Sequence, residues 1–366
     1  MAASTLPPAI TARLGDQVRA AAAARRPLCI EAGGTKAFYG NPTVGERLDP
    51  RECAGIVAYE PSELVVTARA GTPLAELESA LTARGQMLAF EPPHFGSHAT
   101  VGGCIAAGLA GPRRAATGVA SGGVRDSLLG VTLLDGRGVV LAFGGTVMKN
   151  VAGYDISRLV AGSLGTLGVV LEASLRLVPR PAAEATLSFE FDERTALRNC
   201  TAWMGMPWPV SATAWAAGRL HVRLSGATSA VGAARSVFGG ELIAAEAALQ
   251  FWSAIREQTA PFFDQGGVLW RLSVPANSPP LELEGPQLIE WGGALRWLHA
   301  RADAAFVRRR AAELGGHATL FRGERAGIAV FTARAPAVAL LERRLRAQFD
   351  PAGIFNPGRM HADQSH

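Results

Sequence analysis

The 366-residue chain contains only four cysteines, Cys29, Cys53, Cys104 and Cys200, and no two stand at C-x-x-C spacing. That spacing excludes zinc-ribbon, iron–sulfur and dithiol redox motifs and leaves reduced intracellular thiols as the default. Long apolar runs are missing too: nothing approaches the roughly 20 residues a membrane-spanning helix needs. The opening MAASTLPPAITARLGD lacks a basic segment followed by an apolar one, so no signal peptide is expected. Charged residues are scarce at 18%, and 36 Lys+Arg against 31 Asp+Glu give a mild +5. Nucleic-acid binding would need clustered basic and aromatic residues, which are absent. Tryptophan is absent before residue 200, all seven lying between Trp203 and Trp297. With 48% hydrophobic residues the chain is not disordered, and at about 150 residues per domain its length suits two or three domains.

What is abundant is glycine, 42 in all, and it is grouped. Ile10, Leu14 and Val18 predict a first helix, and the apolar strand 27–30 runs into Glu31-Ala32-Gly33-Gly34-Thr35-Lys36. After Leu64-Val65-Val66-Thr67, a helix is predicted from Thr72 as N-cap and Pro73 at the first helical position, with Leu74, Leu77 and Leu81 on its apolar face and Gly85 ending it. Eight glycines lie between Gly96 and Gly123. Strands 131–134 and 139–143 form a hairpin turning at Asp135-Gly136-Arg137-Gly138. Residues 169–178 alternate, with Leu171, Ala173, Leu175 and Leu177 on one face and Glu172, Ser174 and Arg176 on the other; Pro179-Arg180-Pro181 then reads as a boundary. Beyond it, tryptophans and short strands suggest an α+β unit. A last helix through Val338, Leu341 and Leu345 stops at Asp350-Pro351.

Three glycine-rich segments, 31–36, 99–111 and 162–168, carry the chemistry. Without Cβ atoms, backbone N–H groups can converge on an anion. Taken singly, each segment reads first as a tight turn or close-packed backbone; three in one half can hold a pyrophosphate and the polar edges of a nucleotide. The two commonest nucleotide motifs do not fit. Gly162 to Gly168 precedes a strand, whereas G-x-G-x-x-G opens a helix, and Leu109-Ala110 stands where a phosphate loop needs Lys-Ser/Thr.

The order of the pieces does fit a known pattern. PLCIEAGGTK (27–36), EPSELVVTARAGTPL (60–74), ATVGGCIAAGLAGP (99–112), GVRDSLLG (123–130), KNVAGYDISRLVAGSLGTLGVV (149–170) and DPAGIFNPGRM (350–360) together resemble the FAD-binding family of vanillyl-alcohol oxidase and p-cresol methylhydroxylase. EPPHFG (91–96), GGTVMKNVAGYD (144–155), IEWGGALRWL (289–298) and GGHATLF (315–321) are similar to the FAD-binding E subunits of bacterial glycolate oxidases, so the resemblance runs end to end.

The resemblance implies an α+β fold: a two-lobed FAD-binding domain of the p-cresol-methylhydroxylase type (1–180), a smaller α+β cap (181–335), and a helix and tail (336–366) packing back on the first domain. It implies that Ala32, Gly33, Gly34, Thr35 and Lys36 form one pyrophosphate loop and Thr100, Val101, Gly102 and Gly103 a second, with Ala107 and Gly108 close by. Gly165, Thr166, Gly168 and Val169 would approach the adenosine side, and Asn356 would reach back toward the flavin. Lys36 is read equally as a phosphate contact or a solvated lysine. Thr35-Lys36-Ala37-Phe38 holds no histidine for covalent attachment, so the FAD is expected to be noncovalent. The family's 2-hydroxyacid dehydrogenases bind a metal through two histidines and a Glu-His pair. Here only His317 matches, with Glu324 seven residues on, so no metal is expected.

His94 and His98 straddle Gly96 and do not share a helix face, which argues against a metal pair. Arg113 and Arg114 suit either an anion or an exposed, partner-facing position, and Arg308-Arg309-Arg310 reads as a solvated helix face. Functionally, the resemblance implies an FAD subunit of a multi-subunit glycolate oxidase. It would relay electrons or support a catalytic D-type flavoprotein and an iron–sulfur F-type subunit, in the cytoplasm or peripherally at the inner membrane. The alternatives are a self-sufficient FAD oxidoreductase of another small hydroxyacid or alcohol, needing a base from His94, His98, His317 or Tyr154, and a structural partner with an empty groove.

Overall fold

A computed structural model describes residues 6–117, 122–146, 155–300, 303–325 and 327–361. The first helix, Pro8–Ala24, starts on a proline whose missing N–H needs no partner there, and buries Leu14, Val18 and Ala21. It packs over a parallel pair of strands, Leu28–Ile30 and Glu46–Leu48. A five-stranded antiparallel sheet follows, in the order Ile56–Glu60, Val65–Arg69, Val169–Arg176, Leu128–Leu134, Val140–Gly144. The hairpin turning at Asp135 to Gly138 forms as the spacing predicts.

Two local readings change. The helix Leu74–Thr82 buries the three predicted leucines, but Pro73 occupies the cap position. The Thr72 hydroxyl instead bonds both the N–H (2.9 Å) and the carbonyl (3.2 Å) of Gly55. Strand Val169–Arg176 has its polar side largely covered as well, with Glu172 and Arg176 partly buried. Ser174 is buried there and shares a 2.8 Å hydroxyl contact with Thr67.

The chain leaves this sheet at Arg176 and at Ala183 enters an eight-stranded antiparallel sheet. Its order is Glu241–Ile243, Ala183–Glu190, Arg219–Gly226, Val210–Ala216, Gln287–Glu290, Leu295–His299, Leu269–Ser273, His317–Arg322. One apolar cluster joins the two halves, bringing Ala107, Leu109 and Leu164 against Trp291, Trp297 and Phe321. Two carboxylates inside the junction are paired, as burial demands. Glu91 receives Arg223 at 2.8 Å and Arg113 at 3.3 Å. Burial alone would raise its pKa, but the two guanidiniums hold it below the usual value. Trp297 Nε1 donates to Glu290 Oε1 at 2.7 Å, and burial pushes that carboxyl up to about 7.

The tail closes the molecule. After the helix Pro336–Phe349, buried Asp350 accepts from the N–H groups of Ile354 (3.0 Å) and Phe355 (2.8 Å). This turn lays Ile354 to Asn356 alongside strand Leu28–Ile30, with Leu28 N donating to Ile354 O at 2.7 Å and Asn356 N to Leu28 O at 2.9 Å. Asp350→Ala leaves two buried donors without acceptors and should lower stability by about 2–4 kcal/mol, read as a lower urea midpoint. For Glu290 the sign is the reverse of an ordinary carboxylate. Its folded pKa is raised, so its protonated form favours the native state, and that contribution declines as pH rises from 4.5 through about 7. Glu290→Gln retains an acceptor for Trp297, so its stability should vary less with pH across that window than the wild type's; superimposable profiles would show that the carboxyl does not titrate there.

Candidate cofactor groove

The strand Leu28–Ile30 delivers the first glycine loop beside the second. A Cβ on Gly33 would lie 1.6 Å from the carbonyl oxygen of His98, so only glycine permits this approach. Thr100 caps the helix Val101–Ala107, its hydroxyl accepting from Gly103 N at 3.2 Å. Gly102 lets that helix sit on the strand end, where a Cβ would meet the Ala70 Cβ at 2.7 Å. The third loop is held by Asn356. Its Oδ1 accepts from Ile30 N at 2.8 Å, and its Nδ2 donates to Leu164 O at 2.7 Å.

The loops enclose one groove. Among the residues expected to hold the cofactor, Ala32, Gly33, Gly34, Thr35, Lys36, Thr100, Gly103, Ala107 and Asn356 line it. Val101 and Gly102 are buried behind the wall, and Gly108 packs against Gly162. Gly165 lies between Ile30 and Asn356. Thr166 bonds Ser163 O at 2.8 Å and lines a different cavity. Gly168 abuts the carbonyl of Leu134, and Val169 is buried in the core under the first helix. The third loop therefore reaches the groove through Leu164, which the sequence reading did not single out.

Lys36 is not a solvated lysine. It is half-buried, with Nζ 3.1 Å from His94 O and 5.6 Å from the Phe95 ring centre, and desolvation lowers its pKa. Arg359, which sequence reasoning missed, is the second cation of the groove. It donates to Asn41 O (3.0 Å), Ala37 O (2.9 Å) and Lys36 O (3.4 Å), shaping the first loop, and burial lowers its pKa. Among the described residues no carboxylate hydrogen-bonds either cation, although Glu31 lines the same groove. Converging glycine backbone and two desolvated cations suit a polyanion such as a pyrophosphate. The only signal for Arg359 was the NPGRM ending itself.

The catalytic candidates are not gathered into one site: the His94 and His98 backbones adjoin the first loop, while His317 lies on the other sheet. His94 is fixed beside the groove, Nε2 2.9 Å from Glu78 Oε2 and its backbone N–H bonded to Glu257 at 3.0 Å. The His98 side chain is exposed, and His317 stands exposed at the start of an edge strand of the other sheet. Tyr154 lies outside the described residues. No group of three His, Cys, Asp or Glu among the described residues could hold a metal. Arg113 is buried in ion pairs with Glu91 and Glu184, while exposed Arg114 covers the Trp291 ring at 4.8 Å. Arg308 and Arg310 are likewise engaged, with Ala329 O and with Leu281 O and Glu282, so that helix face is only partly solvated. Arg322, also missed, sits 4.5 Å from the Phe38 ring centre and 5.1 Å from Phe95, carrying positive charge from the groove mouth toward the second sheet.

Comparison with known proteins gives this geometry its family. Residues 4–144 match the model of the FAD binding domain. p-Cresol methylhydroxylase with substrate bound superposes with a TM-score of 0.67 at 14% identity, covering 96% of this chain and 87% of that one. Alkyldihydroxyacetonephosphate synthase gives 0.66 at 15%, covering 94% and 75%. Both establish the fold expected from the motifs. Glycolate oxidase subunit GlcD of Bacillus subtilis (strain 168) is 35% identical over 134 residues, 36% of this chain and 27% of that protein. Glycolate oxidase subunit GlcE of Escherichia coli (strain K12) is 47% identical over 348 residues, 95% of this chain and 96% of that protein. An FAD-binding fold whose sequence matches a relative along nearly all of both chains leaves one assignment: the chain belongs to the family of glycolate oxidase subunit GlcE.

Proposed function

We propose that this chain is the FAD-holding E-type subunit of a multi-subunit glycolate oxidase, converting glycolate to glyoxylate with a D-type flavoprotein and an iron–sulfur F-type subunit. The observation that carries the reading is the groove, with three glycine loops and two desolvated cations, in a chain that spans 96% of its GlcE relative. FAD, when bound, supplies the hydride- and electron-accepting chemistry. The residues present suit it: a Cβ would fill the cradle at Gly33, and Lys36 and Arg359 offer charge without carboxylate hydrogen bonds. In this reading Ala32 to Lys36 and Arg359 hold the pyrophosphate, Thr100 and Gly103 flank the flavin, and Asn356 positions rather than contacts, since its amide is already spent on two loops.

The first loop offers no histidine for attachment, which supports noncovalent FAD. We read residues 1–180 as the FAD domain, 181–335 as the cap and 336–366 as the returning tail. In this reading the main oxidation belongs to the partner flavoprotein: His317 stands on the other sheet without the companion ligands of the 2-hydroxyacid dehydrogenases, and His94, beside the groove, is already engaged by Glu78. No helix among the described residues is long and apolar enough to cross a membrane; a cytoplasmic complex, peripheral at the inner membrane, fits that observation.

Lys36→Met and Arg359→Met should each weaken FAD binding by about 10–100-fold, the loss of one charge-assisted bond, measured by flavin fluorescence titration. A phosphate raises the lysine pKa that burial has lowered, so wild-type affinity should fall as pH climbs from neutrality toward 10.5, and Lys36→Met should remove that contribution. In stopped-flow mixing with glycolate, flavin in the isolated chain should stay oxidised and be reduced only with the D-type subunit present. Rapid turnover by the isolated chain would make it the self-sufficient enzyme instead.

A further inference from the structure

Glu257 is the last residue of the helix Ala245–Glu257. A carboxylate there meets the negative end of the helix dipole, so its position needs partners from outside the helix. The half-buried side chain finds them across the junction. Its Oε2 accepts from the backbone N–H groups of His94 at 3.0 Å and Phe95 at 2.9 Å, and its Oε1 accepts from Arg256 Nε at 2.8 Å. The helix itself is fixed to the second sheet. Trp252 Nε1 donates to Thr186 Oγ1 at 2.9 Å, and Ile255 is buried in the cluster that joins the two halves. A group anchored on the second sheet thus grips two consecutive backbone donors of the first half.

Those donors belong to a loop under strain. Phe95 is a non-glycine residue at φ +55°, followed by Gly96 at +134°, and such a backbone persists only where its surroundings enforce it. The Phe95 ring lies 5.6 Å from Lys36 Nζ and 5.1 Å from the Arg322 guanidinium. His94 gives its carbonyl to Lys36 Nζ at 3.1 Å, and its ring meets Glu78 of the helix Leu74–Thr82 at 2.9 Å. Lys36 therefore rests on the same two residues whose N–H groups Glu257 holds. We propose that Glu257 is a positioning residue for the cofactor: from the second sheet it fixes His94 and Phe95, and through them the Lys36 ammonium that meets the FAD pyrophosphate. The inference rests on the FAD reading of the groove. By linkage the coupling is reciprocal, so bound FAD should also tighten the hold of this helix on the loop.

The test is FAD titration of the purified chain by flavin fluorescence, with Glu257→Gln and Glu257→Ala made in the wild-type and Lys36→Met backgrounds. Glutamine keeps one acceptor for the loop and should weaken FAD binding about threefold; alanine keeps none and should weaken it by about tenfold. In the Lys36→Met background both losses should shrink to within about twofold. The pH profile gives a second readout. Lys36 is faced by Cys104 from the helix Val101–Ala107, by the oxygens of Thr35 and His94, and through space by Glu257, while Arg359 bonds its carbonyl and Arg322 lies across the Phe95 ring. Without the carboxylate's charge Lys36 gives up its proton at lower pH, so the alkaline decline of FAD affinity should begin earlier in Glu257→Gln than in the wild type. Glu257→Gln conserves volume and keeps the test open if the alanine variant misfolds. Tighter FAD binding in Glu257→Gln would make the carboxylate a mere source of repulsion and overturn the proposal. Equal losses in both backgrounds would make it a general fastener of the fold and overturn it too. A wild-type chain that binds FAD with no change in either variant overturns the positioning role alone, whereas a wild-type chain that binds no FAD overturns the reading of the groove with it.

Discussion

The architecture of the groove depends on one amide. Asn356 ties Ile30, 326 residues away in sequence, to Leu164 on the far wall, and it does so only because Asp350 has already turned the tail back onto strand Leu28–Ile30. Each of these contacts closes a very long loop, and such closure is entropically costly until packing repays it. The tail therefore couples the first loop to the third, and loss of its turn would loosen both. Arg359, three residues beyond Asn356, then reaches the first loop's carbonyls, so the cation that faces the cofactor arrives with the same closure.

A second constraint is electrostatic. The junction of the two sheets buries charges as well: there Glu91 lies between Arg113 and Arg223, and burial raises Glu290 toward neutrality despite its bond from Trp297. In the groove, the hydrogen bonds of Lys36 and Arg359 among the described residues go to carbonyl and hydroxyl oxygens, with Glu257 and Glu31 acting on them only through space. Two desolvated cations without a hydrogen-bonded carboxylate, set among glycine backbone, favour an anion in the groove. Ligand binding there adds stability by mass action, and it draws on the same tail contacts that make the groove.

Much of this was legible in the sequence, for identifiable reasons. The helix carrying Leu74, Leu77 and Leu81, the hairpin at Asp135 to Gly138 and the glycine loops are local patterns, encoded within a few residues of where they act. The order of those loops carried the family, because a whole succession of motifs is far more specific than any one of them. What periodicity missed depends on partners distant in the chain. Thr72 looked like a cap and instead serves Gly55; Ser174 looked solvent-facing and lies buried against Thr67. Arg113 and Arg308 looked like free cations, and Lys36 was equally readable as one, until burial and long-range acceptors assigned them work.

The glycine-rich 162–168 segment shows why placing a motif in a family does not place each of its side chains. Its seven residues divide between two cavities and the sheet core: Leu164 on the groove, Thr166 toward a second cavity, and Gly168 against the Leu134 carbonyl. A short turn with so little side-chain bulk can contribute to the walls of two cavities, its backbone held by Asn356 on one side and close to Gly108 on the other. The cofactor groove and the second cavity are thus neighbours, and the tail holding Asn356 and Arg359 in place continues directly from the helix that lines that cavity.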